Sequence, residues 1–164
     1  MLIVKKVIIL LLVLSAMLFS CQSNSLSAKD LSTKIISMCA VPYAKKYEFF
    51  AKEYSDLRLS KNLSMILYDC DLYEYCSDFS IAISKKDLVS ELHVLIAQSR
   101  DKADYLKKRL EYRANVLRDK ELYLYDTENA ESINAMIYQK DLYVFLAIGP
   151  SSEIMYEKIS ELMK

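Results

Sequence analysis

The uncharged apolar run Val7 to Phe19, preceded by Lys5 and Lys6 and followed almost at once by Cys21, constrains this chain more than any other stretch. A basic start, a short apolar centre and a small residue at the end make the pattern of an export signal. The run falls short of the about 20 residues that a membrane-spanning helix needs. It therefore leaves the folding of the protein to the residues that follow it.

Leu18-Phe19-Ser20-Cys21 resembles the lipobox of bacterial lipoproteins. In that motif the small residue before the cysteine allows cleavage, and the cysteine thiol carries a diacylglycerol. The resemblance divides the chain into a lipoprotein signal peptide over 1–20, a lipidated Cys21 with a polar tether over 21–29, and one domain over 30–164. Two acyl chains hold a protein on a bilayer where one does not. The expected partner is thus a membrane, reached through lipid on Cys21, and the expected location is outside the cytoplasm, on the bacterial cell membrane or envelope. An uncleaved anchor helix with an incidental cysteine is the plainer alternative, and it places the domain on the same side.

With 164 residues the chain suits a single domain large enough to bury a core without disulfides or metal. Its 22 basic and 22 acidic residues balance, but Lys5 and Lys6 lie in the signal, so the remainder is slightly acidic. No basic footprint for a nucleic acid results. One glycine and two prolines leave no room for a glycine-rich phosphate cradle. Beyond Cys21 three cysteines remain, Cys39, Cys70 and Cys76, an odd number that cannot all pair within the chain. Cys70 and Cys76 could bridge across a short loop or stay as reduced, buried thiols. The sole histidine, His93, lies apart from them, so neither a metal site nor a cofactor is expected.

Leu31, Ile35, Met38 and Cys39 have helical spacing, and Pro42 ends that segment. Tyr43, Tyr47, Phe50, Tyr54 and Leu57 recur at intervals of three and four, which predicts a second helix with an aromatic packing face. The acid-rich stretch from Leu59 to Asp78 reads as a solvated loop; it lacks the turn glycine and late glutamate of a calcium site. Phe79, Ile81 and Ile83 alternate as in a strand. From Leu88 to Leu117 the leucines keep a helical period, predicting one long helix whose Arg100, Lys107, Lys108, Arg109 and Arg113 form a solvated face, with His93 as a satisfied structural histidine. Ile133 to Ile148 alternate around Gln139-Lys140-Asp141 as a hairpin. Gly149-Pro150-Ser151-Ser152 then starts a last helix. The expected fold is α+β in the order α-α-β-α-β-β-α: a small three-stranded antiparallel sheet packed on one face against the long helix, with N-terminal helices and a C-terminal helix.

This order of elements, with Cys21, the segment Ser80-Ile81-Ala82-Ile83-Ser84-Lys85-Lys86-Asp87 and Tyr143-Val144, resembles the small bacterial lipoproteins that carry domain of unknown function 4358. That family has no established activity to carry over. The residues themselves favour a non-enzymatic envelope lipoprotein that binds or scaffolds an envelope protein or cell-wall component. The alternative is an envelope hydrolase using the carboxylates of Asp69, Asp71 and Glu74, which would have to face each other across a cleft at roughly 5 to 9.5 Å. No catalytic residue is nominated outside that alternative.

Overall fold

A computed structural model describes residues 26–39, 43–53, 55–84, 90–124 and 134–164. The signal, Cys21, Tyr54, the segment with Asp87 and Leu88, and Ile133 lie outside them. The elements run α1 (Ala28–Cys39), β1 (Tyr43–Glu48), α2 (Lys61–Tyr68), α3 (Leu72–Tyr75), β2 (Cys76–Ser84), β3 (Glu91–Ala97), α4 (Arg100–Leu124), β4 (Ala135–Lys140), β5 (Tyr143–Ile148) and α5 (Ser152–Leu162). The class is α+β. The sheet, however, has five strands rather than three, all antiparallel, in the order β1-β2-β3-β5-β4.

Two corrections account for the extra strands. Residues 43–48 form an edge strand, not the start of an aromatic helix. Of the five aromatic and leucine positions with helical spacing, Tyr47 is buried in the core while Phe50 and Leu57 are exposed. Tyrosine fits a pleated, half-buried surface well, and side chains four apart share a face of a regular strand as readily as of a helix. The long helix expected from Leu88 begins only at Arg100, because Glu91–Ala97 is the central strand β3. Leu92, Val94, Leu95, Ile96 and Ala97 make a nearly continuous apolar run, as a strand covered on both faces requires. Their match to a helical period was a coincidence of leucine spacing.

The stretch from Leu59 to Asp78 is also more than a loop. Ser60 Oγ accepts the Leu63 N–H to open α2, and the Asp71 carboxylate accepts the Tyr73 N–H to open α3. Ser64 Oγ joins the two helices, accepting from Leu72 N at 3.0 Å and donating to Cys70 O at 2.8 Å. The hairpin, the first helix and the last helix fall within a few residues of their expected places.

Helices cover the sheet on both sides rather than one. The row Tyr47–Ile81–His93–Leu146–Ile137 crosses all five strands in register. Its apolar members pack in the core beneath α4, α2 and α3, where Ala103, Leu106, Leu110, Ala114 and Leu117 form the buried stripe of α4. On the opposite face Leu92, Val94, Phe145 and Ala147 meet Leu31 and Ile35 of α1 and Met155 and Ile159 of α5. The one glycine, Gly149, closes β5 at φ 106°; a Cβ there would stand 2.3 Å from Ser90 Oγ.

Candidate functional site

In that cross-sheet row His93 is the polar member, and it centres a network in the core. Glu91 and His93, two apart on β3, point to the face that α4 and α2 cover. Tyr68 Oη lies 2.8 Å from His93 Nδ1, and His93 Nε2 lies 2.8 Å from Glu91 Oε2. Arg113 of α4 closes the chain, its Nε donating to Glu91 Oε2 at 3.0 Å and its second nitrogen to Glu91 Oε1. Tyr68, His93 and Glu91 have no exposed surface, and Arg113 is 7% exposed.

An ionised carboxylate only accepts, so the His93 proton is assigned to Nε2, and Nδ1 accepts from the Tyr68 hydroxyl. Both ring nitrogens of His93, the Tyr68 hydroxyl and both Glu91 oxygens then have partners, and the Glu91 carboxylate faces the Arg113 guanidinium. Burial alone would raise the Glu91 carboxyl, but the hydrogen bonds from His93 and Arg113 and the positive charge beside it outweigh burial and hold the group at about 2. Burial, with the Glu91 charge adding to it, pushes the Tyr68 hydroxyl well above its ordinary value.

Acid, histidine and hydroxyl in series are the residue types of nucleophilic catalysis. Here the hydroxyl is made harder to ionise, the acid is neutralised by Arg113, and the set is sealed from solvent. The arrangement fixes α2 and α4 on β3; it does not present a nucleophile. Arg113 thus departs from the solvated face expected of it. The signal for the network was the two-residue spacing of Glu91 and His93 inside an apolar run, which is informative only once that run is read as a strand.

Asp69, Asp71 and Glu74 have other occupations. Asp69 ends α2 in a left-handed conformation, φ 55°, and its carboxylate pairs with Arg109 at 2.9 Å. Asp71 caps α3 and faces Lys61 at 3.6 Å, and Glu74, largely exposed, faces the same lysine at 3.8 Å. Cys39, Cys70 and Cys76 are unbridged. Burial raises the Cys70 thiol to about 11 and Cys76 well above its ordinary value. Among the described residues no group of three or more histidine, cysteine or acidic side chains is disposed to hold a metal ion, and no helix is long and apolar enough to cross a membrane.

Among the described residues, a concave surface lies away from the network, at the end of the sheet where β2 begins and β3 ends. An open groove of about 520 Å³ runs there between Leu26, Asp78, Ile96, Leu142 and Tyr143. A second of about 230 Å³ shares Leu26, Asp141 and Tyr143 and continues to Leu162 and Met163 beside α5. Cys21, the lipidation candidate, lies outside the described residues. No family model, no curated protein and no solved structure matches the chain.

Proposed function

We propose that this chain is an exported bacterial envelope lipoprotein, anchored to a membrane through lipid on Cys21, whose domain binds or scaffolds a partner rather than catalysing a reaction. The observation that carries the proposal is Leu18-Phe19-Ser20-Cys21 placed directly after the basic and apolar parts of an export signal. Kinship with the lipoproteins that carry domain of unknown function 4358 belongs to the same proposal. The non-enzymatic half draws support from the chemistry of the domain: its acid, histidine and hydroxyl series is buried and charge-balanced, and Asp69, Asp71 and Glu74 serve as caps and surface ion-pair partners.

Metabolic labelling with a tagged palmitate in a lipoprotein-processing bacterial host tests the anchor. The intact chain is expected to take label and Cys21→Ser to take none. Equal absence of label from both would end the lipoprotein reading.

A further inference from the structure

The described chain enters the domain at Leu26, and this end of the sheet gathers exposed apolar side chains. Leu26 is 45% exposed. Ala28 N–H donates to the Asp78 carboxylate at 2.8 Å, which ties the start of α1 to the start of β2. At the same end β1 finishes: Phe49 N–H donates to Phe79 O at 3.0 Å, so the chain leaves the sheet at Phe50, which is 79% exposed. Lys29 and Glu48 pair at 3.0 Å across this edge. Tyr143, where β5 begins, lines both grooves. The opposite end carries the start of β3, the end of β5 at Ile148 and the start of α5.

Five peptide steps separate Cys21 from Leu26, and a chain spans at most about 3.6 Å per residue, so a lipid on Cys21 holds Leu26 within about 18 Å of its own attachment point. A domain so tethered cannot turn its far end to the bilayer without lifting against that limit. We propose that the end bearing Leu26, Phe50 and Tyr143 rests on the phospholipid surface. Phe50 and Leu26 enter the boundary between headgroups and acyl chains, and Tyr143 stands at headgroup depth. The partner of this surface is the bilayer, and the inference rests on the lipid anchor proposed above. The helix-covered faces of the sheet and the far end of the domain are then left for the envelope partner.

The chain contains no tryptophan, so a single introduced one reports its own surroundings. The experiment uses the full chain, processed in its bacterial host and reconstituted into phosphatidylethanolamine–phosphatidylglycerol vesicles with and without brominated acyl chains. Phe50→Trp and Tyr143→Trp report the proposed contact end. Ile154→Trp, at a position 52% exposed near the start of α5, reports the far end. Vesicle flotation and palmitate label are scored on the same samples.

The expected result is flotation of all three variants, with quenching at Phe50→Trp and Tyr143→Trp at least about twofold that at Ile154→Trp, because an interfacial contact sinks side chains about 5–10 Å into the boundary. Flotation with label, but with Phe50→Trp and Tyr143→Trp no more quenched than Ile154→Trp, overturns the orientation while leaving the anchor intact. Absence of both flotation and label removes the anchor and the orientation with it. Because Phe50 is so exposed, its replacement by another aromatic ring leaves the core untouched, and the result does not hinge on Tyr143 alone.

Discussion

Glu91 and Arg113 meet as a two-point ion pair between the first residue of the central strand and the middle of the longest helix, with neither side chain in appreciable contact with water. The pair makes β3 and α4 chemically specific to one another. Through His93 it also reaches Tyr68, so α2, β3 and α4 are registered by one chain of hydrogen bonds.

Breaking that chain at one point leaves a buried charge without its partner. Arg113→Met is expected to cost about 3–5 kcal/mol in urea unfolding. Replacing all four members with apolar residues of similar size, as Tyr68→Phe, Glu91→Leu, His93→Phe and Arg113→Met together, should recover most of that loss. A combined variant less stable than Arg113→Met alone would show that the network contributes more than charge compensation.

The network also sets a pH dependence. Glu91 titrates at about 2 in the folded protein against an ordinary 4.5, so its contribution is fully present above pH 4.5 and is lost as pH falls from there toward 2. Acid unfolding followed by circular dichroism should be steep in that window, and Glu91→Gln should flatten it while lowering stability at pH 7.

Gly149 is required by its backbone and by its neighbour. Gly149→Ala puts a methyl group against Ser90 Oγ and Cα in a conformation, φ 106°, that side chains rarely adopt. A loss of at least about 1–2 kcal/mol follows from the backbone term alone. Thermal unfolding of the variant checks this; an unchanged midpoint would mean that β5 and the Ser90 segment separate at little cost.

Asp78 holds the start of α1 through the Ala28 N–H, fifty residues away in sequence. Asp78→Ala should cost about 1–2 kcal/mol and Asp78→Asn much less, since the amide oxygen still accepts. Hydrogen exchange should show the loss as faster exchange confined to α1.

The thiols divide by burial. At pH 8 an alkylating reagent should modify Cys39, which is half-buried, well before Cys70 and Cys76. Both of the latter are enclosed, with their thiols pushed above the ordinary range. Denaturant should bring all three to a common rate, as read by mass spectrometry.

The sequence carried enough to identify the elements whose pattern is local. The stripe Ala103, Leu106, Leu110, Leu117 belongs to a helix at any position in a fold, and the alternation on both sides of Lys140 and Asp141 belongs to a hairpin, because each pattern contains its own period. The α+β class follows from those two. The tertiary structure alone decided where a short apolar segment belongs. Leu88, Leu92, Leu95 and Ser99 fit a helix by spacing, but Leu92 to Ala97 has a sheet neighbour on each edge and a helix layer on each face, and that environment selects the strand. The same holds for Tyr43 to Glu48, whose ladder partner β2 lies more than thirty residues on. Once β3 is a strand, Glu91 and His93 share a face, Arg113 turns inward to neutralise the acid, and the network exists. A local period reports how side chains repeat along one segment; which segment lies beside it, and therefore which charges are buried together, is settled only by packing.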